Sequence, residues 1–223
     1  MRRDLLIVSL VMAGLLTPAI PVVAASEALP PELGEVGFDQ RLGENVPLDL
    51  VFTDETGQQA ELGTWLGDRP VLLALVYYDC PMLCPMILNG LTTSLRALKF
   101  NPGTEFDVVV VSFDHRETPE MAATAKSTFL ERYDRPGTES GWHFLTGDEE
   151  SIATLADSVG FRFTYMPDAD QFAHAAGIVA VTPLGQVARY FYGVEYAPKD
   201  VRLGLIEADD NKIGSVVDQV LLY

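Results

Sequence analysis

The sequence predicts an α/β fold: a central mixed sheet with helices on both faces, preceded by an N-terminal signal segment. Two observations carry this expectation. Residues 71–77 (VLLALVY) and 106–113 (FDVVVVSF) are nearly unbroken apolar runs of strand length, the pattern of strands covered on both faces. Helical segments follow each of them, so strand and helix alternate until a late hairpin and a last helix close the order.

The elements follow in turn. Residues 26–44 carry Pro30, Pro31, Gly34 and Gly37, show no periodicity, and read as an extended lead-in to a domain spanning 45–208. Residues 46–52 are a short strand, and Asp54-Glu55-Thr56-Gly57 is a turn into a second one. Residues 64–66 make a brief helical turn. After the first buried strand a helix runs from about Pro85 to Lys99. Ile87, Leu88, Leu91, Leu95 and Leu98 lie on one side of it, and Met86 is assigned to the same core face. Thr118-Pro119-Glu120 supplies an N-cap and a proline at the first helical position, opening a helix that reaches Tyr133. Residues 142–145 are a short strand, and 149–159 a helix stopped by Gly160. Asp168 to Gly177 read as a loop. Residues 177–181 and 187–192 pair as a hairpin around Pro183-Leu184-Gly185-Gln186, and a helix from Pro198 runs to about Glu207. Residues 209–223 form a C-terminal extension that ends in an apolar, strand-like run, 216–223.

A net charge of −17 excludes a nucleic-acid partner, whose phosphates require a basic surface, and excludes docking on anionic lipid through a basic patch. The N-terminus is more informative. Arg2 and Arg3 precede the apolar residues 5–16, and Val23-Ala24-Ala25 supplies the small residues of a signal-peptidase site, with cleavage after Ala25. The apolar stretch is shorter than the ~20 residues a membrane span needs. Residues 1–25 are therefore expected to be a signal peptide, with an uncleaved anchor giving membrane association as the alternative. The remainder is expected to be exported, either periplasmic or at the outer face of the inner membrane.

Export makes the two cysteines chemically informative, because an unprotected thiol pair outside the cytoplasm tends to oxidise. Cys80 and Cys84 must form a disulfide, be kept reduced by a partner, or hold a metal. They stand four apart just before the expected helix; if that helix begins by about Cys80, both sulfurs lie on one face, and the helix N-terminus favours the thiolate form. Thiolate is both nucleophile and metal ligand, so this reasoning leaves redox and metal chemistry open. Two thiolates leave a divalent ion short of donors, and a further ligand has to come from elsewhere. His174 lies just before the late hairpin, next to Ala175-Ala176-Gly177-Ile178, a stretch with no proline to block an ion.

Tyr78-Asp79-Cys80-Pro81-Met82-Leu83-Cys84-Pro85 resembles the C-P-x-x-C-P signature of the SCO/SenC family, a thioredoxin-like family. His174 follows Cys84 by 90 residues, about the interval that family shows to its ligand histidine. Residues 112–119 (SFDHRETP) resemble the family's S-x-D-P-x-x-D-T-P loop, with His115 in place of proline and Glu117 in place of aspartate. The resemblance spans about 36–208. It implies one copper ion, Cu(I) or Cu(II), held by Cys80, Cys84 and His174, with Asp114 lying near the metal. It also implies copper delivery, or thiol reduction, for assembly of the copper centre of cytochrome c oxidase. The partners implied are the copper-accepting subunit of that oxidase, or another exported copper protein, and a thiol reductant.

Two readings of different class follow: a copper-carrying protein that depends on His174, and a thiol–disulfide oxidoreductase in which Cys80 and Cys84 form the redox pair. A peroxidase and a zinc site fit less well, the latter because structural zinc takes four closed ligands. Of the remaining residues, His143 reads as structural, Met82 as solvent- or partner-facing, and Tyr77 and Tyr78 as strand packing.

Overall fold

The computed structural model describes residues 36–214. The signal segment, most of the lead-in and the apolar run 216–223 lie outside the described residues. Ten strands and four α-helices are present among them: β1 (Gly37–Phe38), β2 (Val51–Asp54), β3 (Gln59–Glu61), β4 (Val71–Val76), α1 (Leu83–Arg96), β5 (Asp107–Ser112), α2 (Pro119–Tyr133), β6 (Trp142–Thr146), α3 (Glu149–Ser158), β7 (Phe161–Met166), β8 (Gln171–His174), β9 (Gly177–Val181), β10 (Val187–Tyr192) and α4 (Pro198–Asp209). None of these helices is long and apolar enough to cross a membrane.

The main sheet has seven strands in the order β10-β9-β4-β5-β6-β2-β3. Its centre is the parallel set β4, β5 and β6, and the flanking pairs are antiparallel. Every residue of β4 and β5 is buried, and their apolar runs, VLLALV and VVVV, are those of strands covered on both faces. The register Val76↔Ser112 sets the ends of these two strands level. The segments that follow them therefore emerge side by side, at the carboxyl edge where α/β sheets place their chemistry.

The helices are held by local signals and by one apolar face each. α1 buries Ile87, Leu88, Leu91 and Leu95, and it packs against α2 and α4. α2 opens on Thr118 and Pro119, and it ends where Asp134 turns left-handed and its amide meets the Leu130 carbonyl. The Asp148 carboxylate caps α3 by accepting the Ser151 amide at 2.8 Å. Gly160, at φ +63°, stops that helix. A Cβ there would sit 1.7 Å from the Asp39 carbonyl oxygen, so the glycine also permits the close approach of the β1 segment.

Three expectations are corrected. Asp168 to Gly177 is not a loop, because β7 and β8 form a hairpin that joins β1 in a second sheet of order β1-β7-β8. The signal was the alternation in FRFTYM, with Phe161, Phe163 and Tyr165 on one face and Arg162 and Thr164 on the other, which is the period of a half-buried strand. The strand expected over 46–52 is confined to its last residues, since β2 begins at Val51, while the Val46 amide instead donates to the Gly185 carbonyl. Met86 does not join the core face of α1. It is 45% exposed and lines a groove between that helix and residues 194–198.

His143 is structural, as its position beside Trp142 suggests. It sits on β6, its ring 6.5 Å from that of Trp65. Burial holds its pKa below the ordinary 6.5, outweighing the upward pull of Asp107 on the neighbouring strand. The unfolded chain therefore takes up this proton first as pH falls, and the protein loses stability from about pH 6.5 downward until the folded pKa is reached. Replacing His143 with Gln is expected to flatten the dependence of the denaturant midpoint on pH between about 7 and 5.5. Identical slopes for the two proteins would show that His143 carries none of it.

Candidate metal centre

The three sequence-predicted ligands come from two distant parts of the chain. β4 ends at Val76, and residues 77–82 lead into α1, whose N-cap is Met82. Cys84 is thus in the first turn of the helix, whereas Cys80 precedes it, so the helix starts later than a Cys80 origin requires. The sulfur of Cys80 nevertheless caps that turn by accepting the Cys84 amide at 3.4 Å. Both cysteines are free thiols and buried, Cys80 at 8% and Cys84 at 1% exposure.

His174 is the last residue of β8 and is 9% exposed. Its Nδ1 lies 2.9 Å from the Ala175 carbonyl oxygen, which can only accept, so Nδ1 carries the proton. Nε2 faces Cys84 Sγ at 3.3 Å. This arrangement suits a metal-binding histidine: one nitrogen is turned toward the cysteine sulfur, and the other is tied to a carbonyl that sets the ring's orientation. One ligand atom from each of Cys80, Cys84 and His174 lies within 4.8 Å of the other two, close enough for a single ion. Two sulfurs and an imidazole form a soft donor set that suits copper, and three ligands leave a position open.

The surroundings polarise the two thiols in opposite directions. Cys80 is pushed down to about 3, first by its hydrogen bond with the Cys84 thiol, then by His174 and by the Cys84 and Met82 amides. Burial pushes the Cys84 thiol up, and the neighbouring Cys80 sulfur adds to this. Aromatic rings close the inner side: Phe113 and Tyr77 lie 5.1 and 6.1 Å from the His174 ring, and Phe161 at 6.1 Å.

Asp114 is buried in the loop after β5, but it is not part of the three-ligand cluster. Arg116 holds its carboxylate through Nε and Nη2, at 2.8 and 2.7 Å. Burial pushes the Asp114 pKa up, and the Arg116 hydrogen bonds and charge outweigh it, leaving a net lowering. Arg116 also donates to Asp170 at 2.9 Å, tying the loop to the turn of the β7–β8 hairpin. His115 and Met82 are exposed.

Sequence reasoning missed two contributors. Tyr77, read as packing, donates its amide to Cys84 Sγ at 3.3 Å. Its phenol is raised well above the ordinary range, by burial first and by the adjoining Cys80 sulfur next. Glu117, noted only as a departure from a family pattern, is buried at 8% exposure, and its carboxylate accepts the amides of Tyr78 and Asp79 at 2.7 Å each. A carboxylate inside the 112–119 motif was the available signal. Which amides it would meet was not readable locally.

A mixed sheet flanked by helices, with a cysteine pair at the start of the helix after its central strand, defines a thioredoxin-like protein with a potential metal centre. The SCO1/SenC family matches residues 39–203, and the chain belongs to that family. Among its relatives is the SCO1 protein homolog of Bacillus subtilis (strain 168), 27% identical over 154 residues, covering 68% of this chain and 76% of the homolog. A crystal structure of an Aquifex aeolicus VF5 protein superimposes with a TM-score of 0.66 at 29% identity, over 76% of this chain and 95% of that one. The copper-bound structure of Bradyrhizobium japonicum ScoI shares the fold, with a TM-score of 0.56 at 22% identity over 75% and 99%.

Proposed function

We propose that this chain is an exported copper-carrying protein. It holds one copper ion on Cys80, Cys84 and His174 and passes it to an acceptor, the copper centre of cytochrome c oxidase being the target that family membership favours. The observation that carries this reading is the convergence of the three ligand atoms within 4.8 Å. Copper is the cargo here. The chain's own residues bind it, Ala175 and the aromatic rings orient the imidazole, and burial of the sulfurs keeps bulk water away. An open coordination position lets an incoming acceptor ligand attack. Asp114 is read as a neighbour of the centre that acts through Arg116.

A second reading, thiol–disulfide exchange, is favoured by the opposed thiol pKa values. Cys80, as thiolate, would attack a partner's disulfide and form a mixed disulfide. Cys84, losing its proton, would then displace the partner as a dithiol and leave Cys80–Cys84 oxidised.

Anaerobic titration of the reduced protein with Cu(II) separates the two. A thiolate–copper absorption band saturating at one ion per chain is the expected result. Rapid oxidation of the cysteine pair with no stable band would transfer the assignment to the reductase.

A further inference from the structure

Three successive amides leave β4 and lead to Cys80, and each has an unusual acceptor. The Tyr77 amide donates to Cys84 Sγ, the Tyr78 amide to Glu117 Oε2 and the Asp79 amide to Glu117 Oε1. Glu117 Oε2 also accepts the Ser112 hydroxyl at 2.5 Å. Residues 77–80 belong to no strand or helix, so no ladder holds them in place. Glu117 comes from the neighbouring loop after β5, 38 residues from Asp79. A carboxylate accepting two backbone N–H groups, one on each oxygen, makes short charge-assisted bonds that fix the direction of both peptides.

We propose that Glu117 is a positioning residue of the metal centre. By gripping the Tyr78 and Asp79 amides, it sets the path of the chain into Cys80 and, through the adjacent Tyr77 amide, the hydrogen bond to Cys84 Sγ. It touches none of the ligand atoms. The copper arm of its test rests on the proposed function, and the thiol arm does not.

The test compares Glu117→Gln, Glu117→Asp and Ser112→Ala with the parent protein. In the Gln variant the carboxamide nitrogen meets an N–H donor, so one of the two grips is lost. The Asp variant keeps the charge but is one methylene short. Ser112→Ala leaves both grips in place. Without copper, the reduced Gln variant is expected to alkylate at Cys84 with iodoacetamide faster than the parent, because loosening of residues 77–80 opens a thiol that is 1% exposed in the parent. With Cu(II), its thiolate–copper band is expected to shift, and copper to dissociate about tenfold faster. The Asp variant should recover part of both effects, and Ser112→Ala should stay near the parent.

A Gln variant that loses melting temperature yet keeps the parent's alkylation rate and band would overturn the proposal, since a purely structural prop behaves that way. If the Gln variant does not fold, the Asp variant is read by the same criteria. If the parent itself binds no copper, the proposed function falls while the alkylation rates still decide the role of Glu117.

Discussion

Replacing His174 with alanine is expected to weaken Cu(II) binding by about 100-fold or more, while Cu(I) binding falls by less than about tenfold. The asymmetry follows from the donor set. Two thiolates alone satisfy a soft Cu(I) ion, whereas Cu(II) depends on the imidazole as well. The magnitude is anchored by metal sites in which losing a mere outer partner of a ligand costs about 10–100-fold, so loss of the ligand itself costs at least that much. The ring is held on both sides, by the Ala175 carbonyl at Nδ1 and by Cys84 at Nε2, and little of its binding geometry has to be acquired when the ion arrives. Chelator competition in each oxidation state measures the two affinities. Equal losses in both states would mean that the imidazole does not discriminate between them, and no loss in either would remove His174 from the centre.

Gly90→Ala carries the largest expected effect on stability. The position is within α1, where alanine is intrinsically favoured over glycine by about 1 kcal/mol. Sterics point the other way. A Cβ at Gly90 would lie 1.8 Å from the Val194 carbonyl oxygen and 2.9 Å from its carbon, and main-chain atoms cannot rotate aside as a flexible side chain could. Overpacking of this kind costs about 1–3 kcal/mol, and rigid backbone places it at or above the top of that range, so a net loss of about 2 kcal/mol is expected. The melting temperature should fall by about 4–8 °C. Because α1 carries Cys84 in its first turn, the thiolate–copper band should move as the helix is pushed from the 194–195 segment. A rise in melting temperature would show that propensity dominates and that the close approach relaxes freely.

The legible parts of this protein share one property: their signals are local. β4 and β5 are buried on both faces, so their apolar runs stand out without knowledge of their neighbours. Thr118-Pro119 marks the start of α2 by its own backbone preferences. The Cys80–Cys84 pair stands out by its spacing next to a helix start, although Cys80 itself lies before the helix and meets Cys84 through the Cys84 amide. The β7–β8 hairpin was passed over because β8 is only four residues long, and partly buried strands carry weak patterns. His174 is a candidate ligand through family resemblance, and its place at the end of a strand came only with the hairpin.

The alternation of buried strands and helices, the cysteine pair near a helix start and the strong acidity are thus legible in the sequence alone. Everything that depends on distant segments meeting came from packing. The level ends of β4 and β5 bring Glu117 beside Tyr78 and Asp79. The second sheet carries His174 to Cys84 across 90 residues of chain. The physical reason is that propensity and periodicity act over a few residues, whereas a binding centre is made by packing, in which each donor is held by partners that its own neighbours in sequence do not specify.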